Sequence, residues 1–246
     1  MGRLRQGSRR PENAHRLDSA GSAGGQAVTG SIDQQSRALL AEAAEWRLLS
    51  LLFACPGEDW RRQLSAVAED VENAGLRSCA RLALRQAAEG LYHWASGPGG
   101  PLAPREVSHC DSLELGYLMS ELEAYYGAFG YHPGPGEAPD HISVEAGFLS
   151  FLRMKEAFAR ASGELEHAAV TAEAGRRFLQ DHVARIAQPL AGRLAESGLE
   201  YLAGAAGALL ERVGALPDRA QPVSAALPIL QEESVFPCGD SGFGDA

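Results

Sequence analysis

The sequence predicts an all-α protein, and three observations carry that prediction. Apolar residues recur at spacings of three and four through most of the chain. Isoleucine, valine and threonine are scarce beside alanine and leucine, and no segment sustains a period-two alternation. Breaks rich in glycine and proline separate the periodic stretches. With 246 residues and 45% hydrophobic content, one substantial core is expected.

Each element follows from its own pattern. Residues 31–54 read as the first helix, with Leu39, Leu40, Ala43, Trp46 and Leu49 as its stripe and Pro56-Gly57 beyond its end. Residues 60–76 form a second, through Leu64, Val67 and Val71, with Gly75 as its stop. Residues 77–96 form a third, through Ala80, Leu84, Ala87, Ala88 and Leu91. SGPGGPLAP, residues 96–104, is a loop. Helix returns over 113–131 and is interrupted by Pro133-Gly134-Pro135-Gly136. Further helices are expected over 141–162, 164–187 and 190–215. The domain reading is a disordered Arg/Gly/Ser-rich tail over 1–30, a helical body over 31–216 hinged near 132–140, and a Pro-rich extended tail over 217–246.

Charge narrows the function classes. The net charge is −10, but residues 1–30 carry a net +3, which leaves −13 from Ser31 onward. So acidic a body lacks the basic footprint that phosphate contacts need, so no nucleic-acid partner is expected. It suits a basic partner. No apolar run approaches the ~18 residues of a membrane span, so no stable membrane insertion is expected. Cys55, Cys79, Cys110 and Cys238 are scattered without a paired motif, which predicts reduced thiols and a cytoplasmic chain. Arg9-Arg10 is followed by PENAHRLDSAGSAGG, which has no apolar core, so it does not read as a signal peptide.

The informative stretch surrounds the hinge. Glu121, Tyr125 and Phe129 are four residues apart, which places one carboxylate and two aromatics along one helix face. Pro139 then enforces an extended approach to the next helix. Asp140 is placed to cap that helix through its carboxylate. His141 would sit at the positive end of the helix dipole, which disfavours its protonation. Glu145 follows four residues later. His182, between apolar Leu179 and Val183, reads as a buried histidine bonded to a backbone carbonyl. No phosphate-binding, nucleophile-elbow or dinucleotide motif is present, and the histidines fall at no metal-ligand spacing. The chain therefore reads as neither an enzyme nor a cofactor or metal carrier.

These residues resemble the TorD/DmsD/NarJ family, the cytoplasmic chaperones of molybdenum-containing oxidoreductases. The resemblance covers most of residues 37–215 and rests on RLLSLLFACPGEDW (47–60), on the Glu121-xxx-Tyr125 face followed by EAPDHISVE (137–145), and on RRFLQDHVARIAQPL (176–190). Ile186 stands where the family usually has tryptophan, and Glu145-Ala146-Gly147 replaces the usual Glu-Leu. The resemblance implies a helical bundle of two halves joined by the hinge. It implies binding of a molybdoenzyme catalytic subunit, through its twin-arginine leader or its apoprotein, until cofactor insertion. The expected client-binding residues are Glu121, Tyr125, Phe129, Pro139, Asp140, His141, Glu145 and His182. In that reading Glu121, Asp140 and Glu145 are rim carboxylates for the leader arginines, and Tyr125 and Phe129 form an apolar floor. A monomer or a hinge-swapped homodimer is implied. A non-catalytic assembly subunit retained in an oxidoreductase complex is the alternative, and a small helical hydrolase a third reading.

Overall fold

The computed structural model describes residues 33–110, 115–134 and 136–214. Among these residues there are nine α-helices and no strand, so the all-α expectation holds for the body. The expected tails over 1–30 and 217–246 lie outside the described residues.

Helix α1 (Gln34–Phe53) starts at Asp33, whose carboxylate accepts from the Ser36 backbone N–H at 2.6 Å. Helices α2 (Trp60–Asp70) and α3 (Ala74–Gln86) follow, the second capped by Asn73 on the Leu76 N–H at 3.0 Å. Gly75 therefore lies in the first turn of α3 instead of ending α2. The single helix expected over 77–96 is two, because α3 ends at Gln86 and α4 (Glu89–Ser96) begins after extended Ala87 and Ala88. Arg61 of α2 takes the Leu84 and Ala87 carbonyls there and ties off α3.

Beyond α4 the chain forms a strap, residues 97–110, ending in a 3₁₀ turn at Glu106–His109. Helix α5 (Leu115–Phe129) closes on Gly130 at φ 69°, with the Tyr131 N–H donating to the Tyr126 carbonyl at 2.8 Å. A left-handed glycine at that position turns the chain off the helix and into the hinge.

Helix α6 (Ile142–Ala161) is the axle of the molecule. Every residue from His141 to Ser150 is buried. Its largest packing partner is α1, and α7 (Leu165–Phe178) covers another side. Gly147 lets α1 and α6 cross closely: a β-carbon there would stand 2.7 Å from the Tyr131 hydroxyl, which would have to shift, and 3.3 Å from Ser50 Oγ. Ser150 Oγ donates to the Ala43 carbonyl of α1 at 2.8 Å, satisfying a buried hydroxyl in the same seam. A π-helical turn, Leu179–Val183, joins α7 to α8 (Ala184–Ala195), and α9 (Glu200–Val213) packs on α3 and α8. The break expected near residues 188–189 is thus absent: Pro189 lies inside α8, and the chain leaves the helix only after Ala195. Leu48, Leu49, Leu52 and Phe53 of α1 meet Phe148 and Leu149 of α6 and Phe178 of α7 in one continuous core. Each such side chain contributes about 1.5–3 kcal/mol on burial.

Candidate functional site

The connection between α5 and α6, the segment expected to be a hinge and called the hinge below, packs back on the strap. The Ile142 N–H donates to the Pro104 carbonyl and the Glu106 N–H to the Asp140 carbonyl, each at 2.8 Å, which makes an antiparallel bridge between Arg105 and His141. Tyr126 of α5 donates its hydroxyl to the Pro139 carbonyl at 2.7 Å and holds the hinge from the other side. Partly buried Pro139 therefore shapes the turn, and its carbonyl is already engaged.

Asp140 does not cap α6. The chain turns once more, with the His141 N–H on the Ala138 carbonyl at 3.0 Å, so the helix starts one residue later than expected. Asp140 is fully buried and points into the strap. Arg105 Nε donates to its Oδ1 at 2.8 Å, Arg105 Nη2 lies 2.7 Å from the same oxygen, and the Val107 N–H donates to Oδ2 at 3.3 Å. A carboxylate so buried, with both oxygens engaged, is closed to an incoming arginine. The expected rim role for Asp140 is overturned.

His141 takes the capping role. Its Nδ1 accepts from the Ser143 backbone N–H at 3.1 Å and lies 2.7 Å from Ser143 Oγ. An Nδ1 that accepts leaves the ring proton on Nε2. Nε2 is 2.9 Å from the Tyr92 hydroxyl, which in turn donates to Glu137 Oε1 at 3.2 Å. The three side chains form a directed chain from a buried imidazole to a partly exposed carboxylate. Burial lowers the His141 pKa, against the opposing charges of Glu137 and Asp140. Burial, with the charge of Glu137, raises that of Tyr92.

Glu145 is the larger departure. Expected at a rim, it is fully buried in the first turn of α6, and neither of its oxygens receives a hydrogen bond from a backbone, hydroxyl or nitrogen donor among the described residues. Burial raises its pKa well above the usual carboxylate range, and the adjacent Glu106 and then Asp140 push the same way, with Arg185 opposing. Glu106 is itself fully buried in the 3₁₀ turn. It accepts from Arg185 Nη1 at 3.2 Å, and its other oxygen lies 2.9 Å from His182 Nδ1. His182 is buried as expected, but its partner is this carboxylate and not a backbone carbonyl. The π-helical turn aims the ring, which packs edge-on to Tyr125 at 5.6 Å and tilted to Phe178 at 4.7 Å between centroids.

Glu145 and His182 are therefore both enclosed by protein and do not lie on a surface. Arg105, Glu106, Arg185 and Tyr92, all absent from the sequence-based candidates, complete the cluster. One cue was present for Glu145: it is the lone charge in ISVEAGFLSFL, residues 142–152, and a helix that is apolar all round is buried all round. No periodicity marks Arg105-Glu106, which lie in a loop.

Two surface features flank this cluster. The strap, α4 and the hinge border an open cleft of about 1190 Å³ with a mixed polar and apolar lining, into which Glu89, Tyr92, Arg105, Glu137 and Arg193 open. On another face α5, α6 and α7 leave an apolar groove of about 600 Å³ lined by Phe129, Phe151, Met154, Phe158 and Val170. Phe158 is 71% exposed, Val170 61% and Met154 46%, with Leu165 at 65% nearby. Lys155 lies over the Phe151 and Phe129 rings at 5.3 and 5.9 Å and donates to the Phe129 carbonyl. Val170 also lines a second hollow of about 480 Å³ with Tyr125, Ala174 and Arg177, so the groove continues along α7. Burial raises the Tyr125 pKa there, followed by the charges of Asp181 and Glu121, with Glu173 adding to them and Arg177 opposing. Glu121, Tyr125 and Phe129, all partly buried, thus share this surface as their spacing predicts.

No protein-family model matches the chain, and no curated protein matches it. Among the described residues no group of three or more His, Cys, Asp or Glu side chains is placed to hold a metal ion. Nor is any helix among them long and apolar enough to cross a membrane.

Proposed function

We propose that this chain is a chaperone of the TorD/DmsD/NarJ kind, which holds the twin-arginine leader of a molybdenum-containing oxidoreductase in the cytoplasm until the cofactor is inserted. The supporting observation is the α5–α6–α7 groove, an exposed apolar floor with carboxylates at one end. A leader is a basic segment followed by an apolar, helix-forming one. Laid in the groove, its apolar face covers Phe158, Val170 and Met154, and its arginines reach Glu121 and Asp181 beside Tyr125. A net charge of −13 from Ser31 onward attracts such a segment before contact. The sequence resemblance supplies the client class and, with it, the expectation of two helical halves joined over 132–140.

The roles divide accordingly. Glu121, Tyr125 and Phe129 contact the leader. Pro139, Asp140, His141, Glu145 and His182 act from inside, by fixing where α6 begins and how the strap lies. No bond is made or broken; binding changes which client states are populated.

Calorimetric titration of a twin-arginine leader peptide tests this. Phe158→Ser and Val170→Asp are expected to weaken binding at least about tenfold while leaving the melting temperature unchanged, because both side chains are mostly solvent-facing. Wild-type affinity in both variants would place the leader elsewhere and end the groove reading.

A further inference from the structure

Half of the exposed large apolar side chains among the described residues stand in one place: Met154, Phe158, Leu165 and Val170 lie on or beside the α5–α6–α7 groove. A patch so concentrated gains from being covered. The chain itself carries a segment of matching composition. Past Gly214 it continues for 32 residues, which include the apolar run VSAALPIL, residues 223–230, followed at once by Gln231-Glu232-Glu233. Residues 1–30 are basic and hold no such run.

We propose that residues 223–236 seat in the α5–α6–α7 groove of their own chain, with the apolar run over Val170, Met154 and Phe158 and Glu232-Glu233 at Lys155, and that a leader must displace them. Reach and charge set the direction. Helix α9 touches the π-helical turn that follows α7, so it stands next to the Arg177 end of the groove. Residues 214–222 extend to about 30 Å, more than the about 21 Å length of α9, which brings residue 223 to that end. From Arg177 back to Glu164 the groove follows α7 for about 20 Å, the span of about six extended residues. Pro222 and Pro228 favour the extended form that aromatic-lined grooves accept, and Phe129, Phe151 and Phe158 supply the rings. Laid this way, the run ends at Lys155 as the two glutamates begin. The Lys155 ammonium carries three donors, of which the Phe129 carbonyl takes one, and Glu164 beside it is turned to His167 at 2.9 Å. Residues 215–246 hold five carboxylates against Arg219, so local fit and not general attraction to an acidic body seats them. A tethered segment acts at an effective concentration on the order of millimolar. A weak fit therefore fills the groove and still yields to a tighter ligand. The competition rests on the groove being the leader site; the seating does not.

Photo-cross-linking in the full chain reads the seating without any leader. With p-benzoylphenylalanine in place of Val170, irradiation is expected to join position 170 to peptides within 223–236 of the same chain. Ile229→Asp and Leu230→Asp each put a charge in the apolar run and are expected to cut that yield at least about tenfold. No cross-link to 223–236, cross-links only to a second copy at twice the chain mass, or a yield unchanged by both substitutions would overturn the seating. Calorimetric titration of a twin-arginine leader peptide then separates this from the leader reading. Ile229→Asp is expected to tighten leader binding a few fold by freeing the groove. A cross-link lost in that variant with leader affinity unchanged upholds the seat and sends the leader elsewhere. Phe158→Ser weakening the leader, in a chain that gives no cross-link to 223–236, ends the seat and leaves the leader in the groove.

Discussion

The hinge cluster and the α5–α6–α7 groove invert the usual arrangement of polar and apolar side chains. Around the hinge, Asp140, His141, Glu145, Glu106 and His182 are buried. In the groove, Phe158, Val170 and Met154 face solvent. Polar groups in a dry interior act at fixed geometry, because each misplaced partner leaves an unsatisfied charge. Apolar groups on a surface gain most when something covers them. The first region therefore specifies shape and the second is available for contact. A motif made of charged residues is not by itself a binding surface.

That contrast can be broken at its strongest point. Phe148 is fully buried and contacts the Tyr125, Tyr126, Phe129, Tyr131 and Phe178 rings. Phe148→Ala is expected to cost about 3–5 kcal/mol in urea unfolding, whereas Phe158→Ala stays within about 0.5 kcal/mol. Comparable losses from the two would erase the distinction between inside and outside.

Asp140→Asn sharpens it next. Were Asp140 the helix cap, asparagine would replace it almost without loss. Since it instead holds Arg105 and the Val107 N–H, the variant is expected to lose about 1–2 kcal/mol, the upper end being discounted because Arg105 is partly exposed. Unchanged unfolding would return Asp140 to the capping role.

The pH profile of stability tests the cluster as a whole. The His141 pKa is lowered in the folded chain, so its contribution is present above the ordinary value of 6.5 and is lost as pH falls through the lowered one. The Glu145 pKa is raised, so its contribution is present below the ordinary 4.5 and is lost as pH rises through the raised one. Urea unfolding across pH is expected to show His141→Gln flattening the acid limb and Glu145→Gln the alkaline limb. Limbs that persist in these variants would assign them to other groups.

The smallest effect belongs to the rim of the groove. Glu121→Gln is expected to weaken leader binding by a few fold at low salt, with the difference shrinking as salt screens the charge. Melting temperature should not move. Salt-independent binding in the wild type would leave the groove purely apolar in its recognition.

Much of the helical layout is legible in the sequence. Spacing alone placed α1, α5 and α6 and the start of α2, since an amphipathic stripe has one period and a Pro- and Gly-rich break marks its end. The shared surface of Glu121, Tyr125 and Phe129 was legible for the same reason: side chains four apart on one helix lie together whatever surrounds them. Other features depended on partners distant in sequence. Ala87 and Ala88 break a helix without a glycine or proline because Arg61, from α2, takes the carbonyls at the end of α3. Pro189 fails to break one.

The depth of each hinge residue was likewise settled by tertiary structure. Asp140, His141 and Glu145 carry the same local pattern whether they face water or protein. What turned them inward is the strap, whose Arg105 and Glu106 lie 35 residues before Asp140 in one contact and 76 before His182 in another. A sequence states which charges are present and how they repeat along one element. Which charges face one another in the dry interior is fixed only when elements from different parts of the chain pack, because desolvation and pairing act through space.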